Sequence, residues 1–395
     1  MMKDKINNIL SHKSIQSFNY DVCESLFLAT ELMDFYPIYG SDAQLSSQIK
    51  LKKYLDNNGW KTYLDYFTYS DIKNEKYIKK PWRYHDYYND YKNRDRVNLY
   101  AILDSGKPGN TILLNGHIDI DIIDFDVKKN AVFIDEFKLY GRGASDMIVG
   151  LCLYTFVGNI LKDTNWRGKI IFTSVVDEEI GGNGSIRCSQ WLRSHKLVDT
   201  STQCFIGEPS SNKMCTATFG MLPFQLTIYN TVTHMNAQYE PDAIKILYEI
   251  INKLEQELKH YKHFNYNIGL INGGVDASLP IPNLTIHGSF TLPHNLLVNE
   301  MKLVFNKICN SYKHKLEYND LQIDPYLNNN GIKDETEIFR SACDASVFST
   351  FGFPIFIWGP GKLEQAHSKN EYIDFFDIID FCNVFFPHIE KLMKI

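Results

Sequence analysis

The sequence predicts an α/β protein in which a mainly parallel, mixed sheet flanked by helices is interrupted by a smaller α+β unit. Three observations carry this reading. Short apolar runs alternate with helix-like segments through the first half, residues 216–323 switch to amphipathic helices and alternating strands, and an apolar run returns near the end. The length of 395 residues agrees, since one ordinary domain takes roughly 100 to 200 residues. Residues 1–215 and 324–395 are therefore assigned to the first domain and 216–323 to the second.

In chain order, 22–35 and 43–58 are expected as helices, the second stopping at Asn58-Gly59. Segments 97–103 and 111–115 read as strands, 147–161 as an apolar helix, and 169–176, 204–206 and 355–358 as further strands. Within the second domain 223–229, 266–271 and 284–290 are strand-like. Two stripes at helical spacing accompany them: Ala243, Ile244, Leu247, Ile250, Ile251, Leu254 and Leu258, then Leu297, Met301, Val304, Phe305 and Ile308. Both belong to a core. Residues 69–96, crowded with Tyr, Lys and Arg, break the pattern and read as an exposed polar insertion between two elements.

Composition removes several function classes. A hydrophobic fraction of 44% supports a sizeable core, and a net charge of -6 argues against a nucleic-acid surface. No apolar run approaches the roughly 20 residues that span a bilayer, so no membrane partner is expected and a cytoplasmic location is. The eight cysteines are widely spaced without a Cys-x-x-Cys, which suits reduced, buried thiols.

The chemistry lies in five short stretches that carry metal-ligand side chains: His117 with Asp119, Asp146, Glu178 with Glu179, Glu208, and His367. Each alone is weak. A lone histidine is usually structural, and an aspartate at a helix start is usually a cap. Four of the five, however, follow an apolar run read as a buried strand, and ligands bind beyond the carboxyl ends of strands in such sheets. In TILLNGHID the strand is expected to end at Asn115, with Gly116 turning the chain into His117 and Asp119 accepting the second N–H of its imidazole. IIFTSVVDEEIGG drives a fully apolar strand into Asp177, Glu178 and Glu179, whose mutual repulsion needs an offset such as a cation.

Charge counting favours two divalent ions. With Asp146 as a bridge, His117 and Glu208 complete one site while Glu179 and His367 complete the other. Mixed imidazole and carboxylate ligands with open positions suit catalytic zinc, with cobalt or manganese as substitutes. Two such ions can share and acidify a water and polarise a carbonyl oxygen. Glu178, not needed as a ligand, is then free to act as general base and to pass the proton to a leaving amine.

The segments NGHID, LYGRGASDM, VVDEEIGG, IGEPS, and GFPIFIWGPG with AHSKNEYI resemble, in order and spacing, the dizinc metallohydrolases that include aminoacylase, acetylornithine deacetylase, succinyl-diaminopimelate desuccinylase and glutamate carboxypeptidase. The resemblance covers nearly the whole chain. It implies a catalytic domain interrupted by a lid/dimerisation domain, a homodimer, and the same ligand, orienting and base residues. Glu208 in place of Asp implies deacylation of an N-acyl amino acid over exopeptidase action on a dipeptide or a C-terminal residue. A catalytically silent binding protein on the same fold is the reading of another class, opposed by the complete ligand set.

The lid departs from the family pattern. His234 falls near the position of a histidine that reaches the partner subunit's site, but in an altered context. Phe290-Thr291-Leu292-Pro293 lacks the arginine that grips a substrate carboxylate. Arg340, or the backbone N–H groups of Gly359 and Gly361, are the expected substitutes.

Overall fold

The computed structural model describes residues 1–15, 20–72, 95–121, 131–162, 164–231, 242–319, 321–328 and 337–394. His234 and most of the 69–96 insertion lie outside the described residues.

A six-stranded sheet orders Lys61–Phe67, Arg96–Asp104, Lys169–Val175, Thr111–His117, Gln203–Pro209 and Ile355–Gly359 from edge to edge. The last four are mutually parallel, and the first two run antiparallel at one side. Alternation within these apolar runs feeds two cores. Ile112, Leu114, Ile170, Phe172 and Phe205 point to the face covered by helices Cys23–Phe35, Ile148–Thr155 and Phe375–Leu392, while Leu113, Ile171, Cys204 and Ile206 pack on the other face with Trp191 and Phe348. A sheet buried on both sides needs such continuous apolarity.

Residues Gly220–Tyr229, Asn265–Gly273, Asn283–Leu292 and His314–Tyr318 form a separate antiparallel sheet. Helices Ala243–Leu258 and Val298–Cys309 bury their stripes against it, giving it a core of its own around Leu226, Ile250, Phe290 and Phe305. The fourth strand, HKLEY, was not expected, because it is half polar and lies at the sheet edge.

Two expectations are corrected near the sheet's carboxyl end. Thr111–His117 does not turn at Gly116: it stays paired, with His117 opposite Val175. Gly116 serves close packing instead, since a Cβ there would lie 2.5 Å from Met147 Cε. The 147–161 segment divides into Ile148–Thr155 and Val157–Leu161. All eight cysteines are buried thiols outside any disulfide. Among the described residues no helix is long and apolar enough to cross a membrane.

Candidate metal centre

Three adjacent parallel strands deliver functional groups to one edge. His117 ends the central strand, Glu208 sits near the end of Gln203–Pro209, and Glu178 and Glu179 follow Lys169–Val175 after one turn. Asp177 makes that turn with a φ of 63° and is held by Arg96 Nε at 2.9 Å in a buried pair. Asp146 precedes helix Ile148–Thr155, and His367 follows the short helical turn Leu363–Gln365 with a φ of 57°.

These distant residues converge. Asp146 presents one oxygen to each imidazole: Oδ1 lies 3.2 Å from His117 Nε2, and Oδ2 lies 3.3 Å from His367 Nε2. Glu208 Oε1 is 3.6 Å from His117 Nε2, and Glu179 Oε2 is 3.0 Å from His367 Nε2. His117, Glu178 and Glu208 offer ligand atoms within 4.8 Å of one another, as do His117, Asp146 and Glu179. Two imidazoles and four carboxylates gathered this closely match the donor chemistry of a divalent-cation pair.

Asp119 behaves differently from expectation. Its backbone carbonyl, 2.9 Å from His117 Nδ1, is the nearer acceptor, while its carboxylate stands 3.6 Å away. That carboxylate instead accepts the backbone N–H groups of Glu178 and Glu179 at 3.4 and 3.2 Å, fixing the turn that carries them. Because a carbonyl can only accept, the Nδ1 proton is fixed there and the Nε2 lone pair is left for a cation.

Electrostatics record the crowding. Burial pushes the Glu178 and Glu208 carboxyls well above the ordinary carboxylate range, and neighbouring acids add to it while His117 opposes it. Asp146 goes the other way, because hydrogen bonds to His117 and His367 overcome its burial. Glu179 raises His367 to about 12 against the cost of burial. For His117 burial is the largest influence and lowers it, but Asp146, Glu208 and Glu178 together hold it well above the ordinary range.

A cavity of about 210 Å³ opens on the cluster, bounded by Asp146, Glu178, Glu179, Glu208 and His367 on one side. Met221, Leu321, Ile323, Phe339 and Leu363 give it an apolar wall, and Thr291 and Arg340 add polar groups. Gly359 and Gly361 do not line it. The Gly359 N–H donates to Ser210 Oγ at 3.1 Å, and a Cβ on Gly361 would lie 2.7 Å from Ser145 Oγ, so both have packing reasons to be glycine.

Three residues near the centre went unnoticed in the sequence. Asp121 Oδ2 lies 3.2 Å from His367 Nδ1. Its position two beyond Asp119 was the available signal. Arg142 and Glu371, both buried, pair at 2.6 Å behind Asp146. Their signal was slight, because they are 229 residues apart in the chain.

A strand-end cluster of this kind, facing a cavity, defines a metal-dependent hydrolase on an α/β scaffold. The chain belongs to peptidase family M20/M25/M40, whose model matches residues 113–390. It is 25% identical over 333 residues to an acetylornithine deacetylase of Buchnera aphidicola subsp. Acyrthosiphon pisum, covering 75% of this chain and 84% of the relative. A succinyl-diaminopimelate desuccinylase of Buchnera aphidicola subsp. Cinara cedri is 24% identical over 346 residues, covering 76% and 88%. A tripeptidase from Staphylococcus aureus shares the fold with a TM-score of 0.69 and 18% identity, over 95% of this chain and 98% of that one.

Proposed function

We propose that the protein hydrolyses the amide bond of an N-acyl amino acid or related amine, using two divalent cations, zinc in the first instance. The observation that carries this is the division of Asp146, with one oxygen toward His117 and the other toward His367. His117, Asp146 and Glu208 would hold one ion, and Asp146, Glu179 and His367 the other. Bound there, the pair would acidify a shared water and polarise the scissile carbonyl.

Glu178 takes the proton from the attacking water and returns it to the leaving nitrogen. Its placement supports this: it lies beside the ligand atoms of His117 and Glu208 and lines the cavity. Burial raises its carboxyl above the ordinary carboxylate range, which strengthens it as a base. Asp119 holds the Glu178–Glu179 turn and, through its carbonyl, the His117 ring. Arg340, a cation at the cavity edge, is proposed to hold the substrate carboxylate in place of the absent lid arginine.

Residues 216–323 are proposed as the lid/dimerisation domain of a homodimer. Strand Asn265–Gly273 supports that, because it is a sheet edge with Leu270 and Ile271 exposed. His234 is kept as the residue proposed to reach the partner subunit's site. The relatives' names favour deacylation, as does Glu208. The test is a panel of N-acetyl, N-succinyl and dipeptide substrates with the zinc-loaded protein. Turnover confined to dipeptides would replace deacylation by exopeptidase action, and no turnover by a fully loaded protein would favour a silent binding role.

A further inference from the structure

The loop that carries Asp146 is wrapped around a single carboxylate from the far end of the chain. Glu371 accepts the backbone N–H groups of Gly143, Ser145 and Asp146 at 3.2, 2.8 and 3.0 Å, and Arg142 Nη1 at 2.6 Å. The same guanidinium reaches on through Nη2 to the Ser368 carbonyl at 2.6 Å, one residue beyond His367. Glu371 and Arg142 are each 2% exposed, and neither lines the cavity.

A buried ion pair seldom adds net stability over apolar packing, so its value is sought in the geometry it imposes. Here that geometry is specific. The pair ties the backbone of Asp146 to the backbone beside His367, and these two residues face each other across 3.3 Å. His117 and Glu208 stand at or near strand ends outside this tie, and share only Asp146 with it.

We infer that Arg142 and Glu371 are positioning residues for the cation site formed by Asp146, Glu179 and His367, fixing the Asp146 to His367 separation. This rests on the two-cation reading proposed above. Glu371→Gln replaces an acceptor-only group with one that also donates, so one of its oxygen positions turns an N–H toward backbone N–H groups. Arg142→Lys retains the charge but cannot span Glu371 and the Ser368 carbonyl with two separate nitrogens.

The test titrates cobalt(II) into the full chain after removal of bound metal, followed by calorimetry and visible absorption. His367→Ala and His117→Ala identify which binding step belongs to which site. Glu371→Gln should weaken the step that His367→Ala abolishes by about 10- to 100-fold, and the His117 step, which shares Asp146, by a clearly smaller factor. Arg142→Lys should weaken the same step by a smaller factor, and it serves alone should Glu371→Gln fail to fold. A merely structural pair would weaken both steps alike. Equal weakening, or no change in either variant, overturns the inference. Wild-type protein that takes up fewer than two cobalt ions overturns the two-cation reading and the inference with it, and is recognised from the wild-type titration alone.

Discussion

His367 turns its Nδ1 toward Asp121, whose Oδ2 lies 3.2 Å away. The other nitrogen faces Glu179 and Asp146. A carboxylate behind a ligating imidazole fixes the ring and raises its basicity, and losing such a partner typically costs 10- to 100-fold in metal affinity. Asp121→Asn is therefore expected to lower cation affinity by about that factor with little change in fold. Competition against a chromophoric chelator measures it, and an unchanged affinity would remove Asp121 from the centre.

Glu178→Gln separates base from ligand. The rate should fall by about 10²- to 10⁴-fold while cation content stays that of the wild type. Paired rate assays and elemental analysis decide this. A variant retaining more than about a tenth of the activity would exclude Glu178 as the proton carrier.

Cation uptake should release protons and strengthen with rising pH. Without a cation, neighbouring carboxylates raise His367 to about 12 and hold His117 above its ordinary range, whereas a ligating imidazole must give up its second ring proton. The stability from the protonated His367 contacts is complete below the ordinary histidine pKa of about 6.5 and is lost only as pH rises through about 12. Calorimetric titration at pH 7 in buffers of different ionisation enthalpy reports the protons released. An enthalpy independent of buffer would contradict this picture.

Gly359 packs where no side chain fits. A Cβ there would lie 2.2 Å from the Gly207 carbonyl oxygen and 2.5 Å from that of Glu208. Gly359→Ala should cost about 1–3 kcal/mol, the usual penalty of overpacking, and should weaken cation uptake by displacing Glu208. Urea denaturation gives the first quantity. A midpoint equal to the wild type would show that the strands separate without cost.

The buried parallel strands and both helices of residues 216–323 were legible in the sequence, because their apolar periodicity reports burial directly. The convergence of the five proposed ligand residues was legible too, since each sits at or near the end of a strand, helix or helical turn. What escaped depends on contacts remote in sequence. The Arg142–Glu371 pair joins two loops with no periodic pattern, and the backbone acceptor for His117 is a carbonyl that any residue would supply. Gly116 misled for a related reason: a glycine read locally suggests a turn, whereas Met147 across the core is what excludes a side chain there.

Anomalous diffraction at the zinc edge from crystals of the zinc-loaded protein tests the central claim most directly. Two peaks should flank the Asp146 carboxylate, one bonded to His117 and Glu208 and the other to Glu179 and His367. A single peak, or peaks away from Asp146, would contradict a shared two-cation centre.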